Sequence, residues 1–271
     1  MDLAVIGTGN MGQALVRGFL QRNLLQGCNI RLFDTDQEKA AAFAADIGAR
    51  SMTSAAEAAR DADVLLLAVK PQYIEPAVAG FAGQLHEHSL MISIAAGVTL
   101  ARLRSLTGPL PAIARVMPNT PALVGSGVSA VCFDRASHQQ RQMVQDLLAS
   151  CGTVFAVQEK LMDAVTGLSG SGPAYVMLMI EAMADAGVLL GLGREMALQM
   201  AALTLQGSAR MVLETGLHPA ILKDQVCSPG GTTIEAVLSL EEDGLRAALM
   251  HAVCASADKS RQMREQAGDH G

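Results

Sequence analysis

Leu3-Ala4-Val5-Ile6-Gly7-Thr8-Gly9-Asn10-Met11-Gly12 is the stretch that decides the fold of this chain. Four consecutive apolar residues indicate a buried strand, and the apolar positions from Met11 onward recur at helical spacing. Each glycine between them has its own use. The first permits a tight turn, the second lets a pyrophosphate approach the backbone, and the third lets helix and strand pack closely. The stretch therefore predicts a strand, a glycine turn and a helix that bind a dinucleotide.

A second predicted strand, residues 29–33, ends at Asp34, about 20 residues past the glycines, where dinucleotide folds place an acidic residue on the adenosine ribose hydroxyls. A carboxylate there would repel the extra phosphate of NADPH, so this position favours NADH. Two alternatives stay open. Asp34 could instead cap the helix that begins near Asp36, and Lys39 or Thr35 could offset the charge of a phosphate.

The same pattern continues to about residue 158 and predicts a doubly wound α/β sheet, the Rossmann arrangement. The next strand, residues 63–69, is apolar on both faces, as in a parallel sheet that helices cover on both sides. Ser54 and Glu57 have the spacing of a capping box, and Gly48 is expected to end the preceding helix. Further strands are predicted at 90–94, 112–117, 127–133 and 153–157, and helices at 37–47, 99–106 and 138–150.

The loops that leave these strands lie at the carboxyl edge of the sheet, where open α/β sheets bind ligands. Ala95-Ala96-Gly97 is small enough to let a nicotinamide or ribose lie against backbone, and the prolines beside Asn119 predict a stiff wall. We assign the cofactor to residues of these loops: Ile6, Gly7, Thr8, Gly9, Asn10, Met11, Gly12, Asp34, Ala68, Val69, Lys70, Pro71, Ala95, Ala96, Gly97 and Asn119.

After residue 158 the strand pattern disappears, and residues 159–271 are predicted to be helical. A long helix is expected from Ser171, as its cap, and Pro173 to residue 189, followed by a second at 194–214. Along 196–205 the apolar side chains cover nearly the whole circumference, and such a helix must be buried on every side. We therefore expect a partner subunit to supply part of the cover. The tail 267–271 is expected to be frayed.

Val226-Cys227-Ser228-Pro229-Gly230-Gly231-Thr232-Thr233-Ile234-Glu235-Ala236 carries the second functional prediction. The two glycines allow close backbone approach, and the residues from Thr232 onward have a helical pattern. A helix end with little side-chain bulk over it offers free N–H groups to a carboxylate or phosphate. The alternative is an ordinary Pro-Gly turn before a helix.

Composition excludes several classes of function. The 271 residues include 20 Lys and Arg against 26 Asp and Glu, a net charge of −6, and 3% aromatic residues, so no nucleic-acid partner is expected. The unbroken apolar runs are shorter than the roughly 18 residues of a membrane span, so no membrane partner is expected. Five cysteines without a CxxC pair indicate reduced thiols in the cytoplasm. The six histidines show no ligand spacing, so no metal site is assigned.

Six ordered stretches, at residues 6–12, 68–71, 93–99, 115–121, 167–175 and 228–236, resemble pyrroline-5-carboxylate reductase. The resemblance covers essentially the full chain. It implies reduction of 1-pyrroline-5-carboxylate to L-proline with NADPH or NADH, the last step of proline synthesis. It also implies a Rossmann domain at 1–158 and a helical domain at 159–271 that forms an intertwined homodimer, often assembled further into a decamer.

The resemblance also implies roles for single residues. Cofactor contacts fall on 6–11, 68–71 and 95–97, and substrate binding falls on Ser228, Gly230, Gly231, Thr232 and Thr233. Thr233 carries the hydroxyl expected to act in catalysis. Many family members have a small or basic residue where this chain has Asp34, and this departure favours NADH.

Two other functions are alternatives to this one. A Rossmann dehydrogenase of 3-hydroxy acids commonly uses a lysine in the long helix after the domain border, and residues 169–190 contain no lysine. A non-catalytic NAD(H)-sensing protein would have little use for an anion-binding Ser-Pro-Gly-Gly turn. Both are therefore disfavoured.

Overall fold

The computed structural model describes residues 1–21, 25 and 27–266, the Cys28 side chain excepted, and the predicted frayed tail 267–271 lies outside them. Two compact units make up the chain, Met1–Ser171 with Cys254–Gly271, and Gly172–Val253. We call them the sheet unit and the helical unit. The predicted functional border at residue 158 is a separate division, and it stays a prediction.

The sheet unit contains one eight-stranded sheet in the order β3-β2-β1-β4-β5-β6-β7-β8. Only β7 runs antiparallel to its neighbour β6; the other adjacent pairs are parallel. The fold class is the predicted Rossmann arrangement, and the predicted strands match within two residues at each end. The strands are β1 Leu3–Ile6, β2 Ile30–Phe33, β3 Arg50–Ser51, β4 Val64–Leu67, β5 Leu90–Ser93, β6 Ala112–Met117, β7 Gly127–Asp134 and β8 Gly152–Ala156.

The centre of the sheet is buried on both faces because β1 and β4 are apolar at every position. They pair in register from Leu3 with Val64 to Ile6 with Leu67. Alternate residues point to opposite sides, so Leu3 and Val5 join one core layer while Ala4 and Ile6 join the other. Burial on both faces fixes where β1 ends and where the glycine turn begins.

The helices of the sheet unit begin mostly at side-chain caps. They are α1 Asn10–Gln21, α2 Gln37–Ile47, α3 Ala55–Ala59, α4 Ile74–Ala79, α5 Leu100–Thr107, α6 His138–Ala149 and α7 Met162–Val165. The side chains that cap α2, α3, α5 and α6 are those of Asp36, Ser54, Thr99 and Ser137. The predicted end of α2 at Gly48 is confirmed, with Gly48 in the left-handed conformation. The capping box at Ser54 is only half formed, because the Glu57 carboxylate instead accepts the backbone N–H and hydroxyl of Thr53.

The helical unit contains α8 Gly172–Leu189, α9 Arg194–Thr215, α10 Pro219–Val226 and α11 Thr232–Glu242. The last helix, α12 Leu245–Gln266, begins in this unit, and its residues from Cys254 onward belong to the sheet unit. The prediction that Ser171 caps α8 is wrong. A π-helical turn, Thr166–Gly170, runs directly into α8, so there is no free helix end, and the Ser171 hydroxyl bonds the Ser256 hydroxyl at 2.7 Å.

The helical unit has a very small apolar core of its own. Between α8 and α9 the buried members of this core are Ala184, Ala197 and Ala201, while large apolar side chains along both helices are exposed. Within the described residues, one helical run, Glu159–Leu189, is long and apolar enough to cross a membrane by length and composition alone, and 6% of its most apolar window is buried. The absence of a membrane partner therefore stays a prediction.

Candidate active site

The glycine turn between β1 and α1 has the geometry that its sequence predicted. Gly7 has φ +97°, and a Cβ there would lie 2.7 Å from the Ala68 carbonyl oxygen. At Gly12 a Cβ would lie 2.9 Å from the Gly7 carbonyl oxygen and 3.0 Å from the Ala68 Cβ. Only glycine fits at either place. Above Gly9, by contrast, there is nothing within 4 Å, so the space over the turn is open to a ligand.

Asp34 lies beside this turn at the end of β2. Its Oδ2 accepts the Thr8 backbone N–H at 2.6 Å and the Thr8 hydroxyl at 3.0 Å, and its Oδ1 accepts the Asp36 N–H at 3.0 Å. Burial opposes ionisation of this carboxyl, but these hydrogen bonds and the Lys39 charge outweigh it and hold the pKa of Asp34 below its ordinary value. The helix-cap alternative for Asp34 is wrong, because the side chain that caps α2 is that of Asp36.

Two more of the assigned loops leave neighbouring strands at the same edge. After β4, the Ala68 N–H bonds the Ile6 carbonyl at 2.8 Å, which brings Ala68 and Val69 against Gly7, and Lys70 is exposed. After β5, Ala95 and Gly97 are buried and Ala96 is half-buried, with Gly97 in the left-handed region at φ +75°. Parallel order brings these loops together, although they are far apart in sequence.

The side chain of Asn119 is used inside the fold. It is buried; its Oδ1 accepts the Val128 N–H at 2.8 Å, and its Nδ2 donates to the Ser169 carbonyl and hydroxyl at 3.2 and 3.4 Å. The amide therefore joins the loop after β6 to β7 and to the π-helical turn. Asn119 was predicted to bind the cofactor. Because its side-chain amide is already hydrogen-bonded within the fold, only its backbone would be available for that contact.

Two carboxylates in the segment after β8 bond the elements that flank the loop after β5. Glu159 Oε1 accepts the Leu100 N–H at 2.7 Å, at the start of α5, and pairs with the buried Arg115 guanidinium at 2.8 Å. Four residues later, Asp163 bonds α12 through Ser260. Asp163 was not predicted from the sequence, and its only signal there is this i, i+4 spacing from Glu159.

Cys132, on β7, lies close to this pair. Burial and the nearby Glu159 carboxylate raise the pKa of its thiol to about 12, although the Arg115 charge acts in the opposite direction. The thiol therefore stays protonated at neutral pH and acts as a small apolar side chain rather than a nucleophile.

The predicted anion-binding turn lies in the helical unit. Gly230 has φ +65°, the Gly231 N–H bonds the Ser228 carbonyl at 3.0 Å, and α11 begins at Thr232. Gly231 is the N-cap, so the cap residue has no side chain that could bond the first turn of α11. The first N–H groups of this helix are thus left for an external partner. Ser228 and Gly230 are exposed, while Thr233 is half-buried.

The predicted residues thus form two groups. The cofactor residues meet at the carboxyl edge of the sheet unit, and the substrate residues meet at the turn before α11 in the helical unit. Within the described residues no group of three His, Cys, Asp or Glu side chains could hold a metal ion. A Rossmann sheet with a glycine turn and an acidic second-strand end, followed by a helical unit, is typical of the nicotinamide-dependent oxidoreductases.

Comparison with known proteins identifies the family within this class. Residues 159–263 match the family model for pyrroline-5-carboxylate reductase dimerisation, and residues 2–97 match that for the coenzyme F420-dependent NADP oxidoreductases. The chain is 42% identical to the pyrroline-5-carboxylate reductase of Escherichia coli, over 96% of this chain and 97% of that protein. It is 41% identical to that of Methanosarcina acetivorans over the same shares. The chain belongs to the pyrroline-5-carboxylate reductase family.

A solved structure supports the same conclusion. The crystal structure of Plasmodium falciparum pyrroline carboxylate reductase with NADP bound superimposes with a TM-score of 0.89 at 34% identity, over 97% of this chain and 98% of that one. The likeness extends over both units.

Proposed function

We propose that this protein reduces 1-pyrroline-5-carboxylate to L-proline with a hydride from NADPH or NADH. The observation that carries the proposal is the similarity, at about 41% identity over 96% of the chain, to proteins named for this reduction. The glycine turn of the sheet unit and the uncapped start of α11 supply the two binding features that the reaction needs.

The substrate carboxylate is proposed to bind the N–H groups at Gly230–Thr233. This turn is exposed and lacks a side-chain cap, and the helix end attracts a negative charge with about 0.3 to 2 kcal/mol, depending on burial. Binding the carboxylate there orients the ring, because a five-membered imine has few other polar groups to hold.

The chemical step transfers a hydride from C4 of the reduced nicotinamide to the carbon of the C=N bond. The π electrons of that bond move to the nitrogen, which takes up a proton, so that a secondary amine and the oxidised nicotinamide are formed. Thr233, in the first turn of α11, is proposed to hydrogen-bond the nitrogen. Its hydroxyl is too weak an acid to act alone, so it orients the iminium or relays a proton from water.

The cofactor is proposed to lie along the assigned loops of the sheet unit, with NADH preferred over NADPH. The ionised Asp34 carboxylate at the end of β2 supports this preference, because it attracts ribose hydroxyls and repels a 2'-phosphate. The P. falciparum relative was solved with NADP.

A homodimer is proposed through α8 and α9. Alanines alone form the buried core between these helices, and their exposed Val, Leu and Met side chains need further cover. The matched family model is one for dimerisation, and the apolar run 159–189 also carries Glu181 and Asp185, which suit a protein interface better than lipid. A decamer built from such dimers is proposed on the resemblance alone. The free thiols Cys132, Cys151, Cys227 and Cys254 fit a reducing cytoplasm.

The decisive experiment mixes the purified protein with 1-pyrroline-5-carboxylate and either reduced nicotinamide, and follows nicotinamide absorbance and proline formation. We expect imine-dependent oxidation, faster with NADH. Nucleotide binding without turnover would favour the sensor alternative instead. Oxidation of a 3-hydroxy acid with NAD⁺, and no imine reduction, would favour the dehydrogenase alternative.

A further inference from the structure

The second half of α12 lies against the loop that follows β5. A Cβ on Gly97 would lie 3.6 Å from the Met263 Cβ, and 3.8 Å from both the Arg264 nitrogen and the Ser260 carbonyl oxygen. These residues of α12 belong to the sheet unit. Because helix backbone lies directly behind Gly97, the position of the loop depends on the position of α12.

Asp163, in α7, fixes α12 at this point. Its Oδ1 accepts the Ser260 hydroxyl at 2.7 Å, and its Oδ2 lies 3.5 Å from Arg264 Nη2. The side chains of Asp163 and Arg264 are only 14% and 20% exposed, so this ion pair is screened less than a surface pair. Both partners of Asp163 are residues that lie against Gly97.

Glu159 fixes the other side of the same loop. It accepts the Leu100 N–H at the start of α5, and Thr99, the cap of that helix, comes two residues after Gly97. Glu159 and Asp163 are one helical turn apart in sequence. Two carboxylates from one short segment therefore hold both supports of Ala95–Gly97: α5, into which the loop runs, and α12, which lies behind it.

We propose that Asp163 is a positioning residue for the nicotinamide half of the cofactor. Through Ser260 and Arg264 it sets the position of α12, and α12 in turn sets the position of Gly97. Asp163 itself touches neither cofactor nor substrate. The inference rests on the proposed placement of the nicotinamide at Ala95–Gly97, and it extends the cofactor site to the C-terminal helix.

The test compares the whole nucleotide with its adenosine half. In the full chain, Asp163→Ala is expected to weaken NADH binding by about tenfold and to lower kcat, because a displaced loop misplaces the reacting carbon. Binding of ADP-ribose, which lacks the nicotinamide, is expected to stay unchanged. Asp163→Asn keeps an acceptor for the Ser260 hydroxyl but loses the ion pair, so we expect an intermediate effect. Asp46→Ala breaks the exposed ion pair with Arg17 and is the matched control, expected to change neither affinity.

Equal loss of NADH and ADP-ribose binding in both Asp163 variants would mean general damage to the unit and would overturn the inference. Unchanged NADH binding would also overturn it. A second variant, Gly97→Ala, tests the proposed cofactor placement separately, because alanine is strained at the φ of +75° that Gly97 adopts. If Gly97→Ala weakens NADH binding and Asp163→Ala does not, the placement stands and the inference fails; if neither variant does, the placement fails too.

Discussion

At the scale of one residue, Thr233 is proposed to serve a proton-coupled reaction although its hydroxyl is a weak acid. It lies in the first turn of α11, half-buried, directly after a turn whose N–H groups have no side-chain partner. If those groups bind the carboxylate, the hydroxyl lies a short distance from the ring nitrogen of the same small molecule. Position, rather than acidity, is then its contribution to catalysis.

Thr233→Ala is expected to lower kcat by roughly 100-fold, because the imine nitrogen loses its oriented hydrogen bond in the transition state. Nucleotide affinity, measured by quenching or calorimetry, is expected to stay unchanged. Thr233→Ser keeps the hydroxyl and is expected to restore most of the turnover. Equal losses of turnover and nucleotide binding in Thr233→Ala would refute the proposed role.

Asp34 carries the second prediction at this scale. Asp34→Asn removes the charge while the amide oxygen can still accept hydrogen bonds from Thr8. We expect the ratio of kcat/KM for NADPH to that for NADH to rise by about tenfold or more, because the 2'-phosphate no longer meets a carboxylate. Since hydrogen bonds keep the pKa of Asp34 below its ordinary value, the proposed preference for NADH should be constant across neutral pH. It should weaken only as the pH falls through that lowered pKa. A ratio that does not change in Asp34→Asn would show that other residues select the nucleotide.

At the scale of elements, the chain uses helix starts in two ways. Four helices of the sheet unit, α2, α3, α5 and α6, begin at an Asp, Ser or Thr whose side chain bonds the first turn. Gly231, the N-cap of α11, makes no such bond, and neither does Gly193, the N-cap of α9. A capped start stabilises the fold, whereas an uncapped one keeps its N–H groups available to a ligand. The missing cap by itself does not separate the proposed substrate turn from an ordinary Pro-Gly turn, and that alternative stays open.

Two glycines with the same backbone geometry test whether the turn before α11 binds the substrate. Gly230, before α11, and Gly216, which ends α9, both have φ +65°, and a Cβ at either position would have nothing within 4 Å. Alanine at either place should lower stability by about 1 kcal/mol, because left-handed backbone is unfavourable for residues with a Cβ. Only Gly230→Ala is expected to raise KM for the imine, measured at saturating nucleotide. A similar rise in Gly216→Ala would show that the effect is general rather than local.

At the scale of the whole molecule, the two units differ in how they are stabilised. The sheet unit buries two apolar layers of Leu, Ile, Val and Phe side chains. The helical unit buries mainly three alanines between α8 and α9 and leaves large apolar side chains exposed. Alanine offers little apolar area to bury, so this unit gains little stability from its own core. A second copy of the chain is the proposed source of the missing contacts.

Leu203→Glu is expected to shift the protein from dimer toward monomer. Leu203, on α9, is 64% exposed, and a carboxylate there would be buried without a partner in the dimer, raising the dissociation constant by about 100-fold or more. Leu110→Glu, at a leucine 53% exposed on the sheet unit, is the control and should leave the dimer intact. Light scattering over a dilution series measures both. A wild-type chain that is a monomer at every concentration would contradict the proposed dimer.

Much of the fold could be predicted because local sequence patterns specify the strands, the glycine turn and several helix ends. The central strands β1 and β4 have no polar positions, and the glycine turn allows few residues. The cap of α3 at Ser54 and the end of α2 at Gly48 follow from the residue types at those positions. The errors arose where context overrode a local preference. Ser171 is a good cap residue, but the chain before it is already helical. Glu57 has the spacing for a capping box, but Thr53 offers it two donors instead of one.

By itself the sequence determined the Rossmann sheet, the glycine turn and the helical second half, because local patterns of apolar residues and glycines predict each of them. Only the tertiary structure decided that Asp34 binds Thr8, that the Asn119 amide is used within the fold, and that Asp163 holds α12 behind Gly97. These partners are separated by long stretches of sequence. The spacing of residues in the sequence does not predict such pairs, because they come together only through the strand order of the sheet and the packing of α12 against the sheet unit.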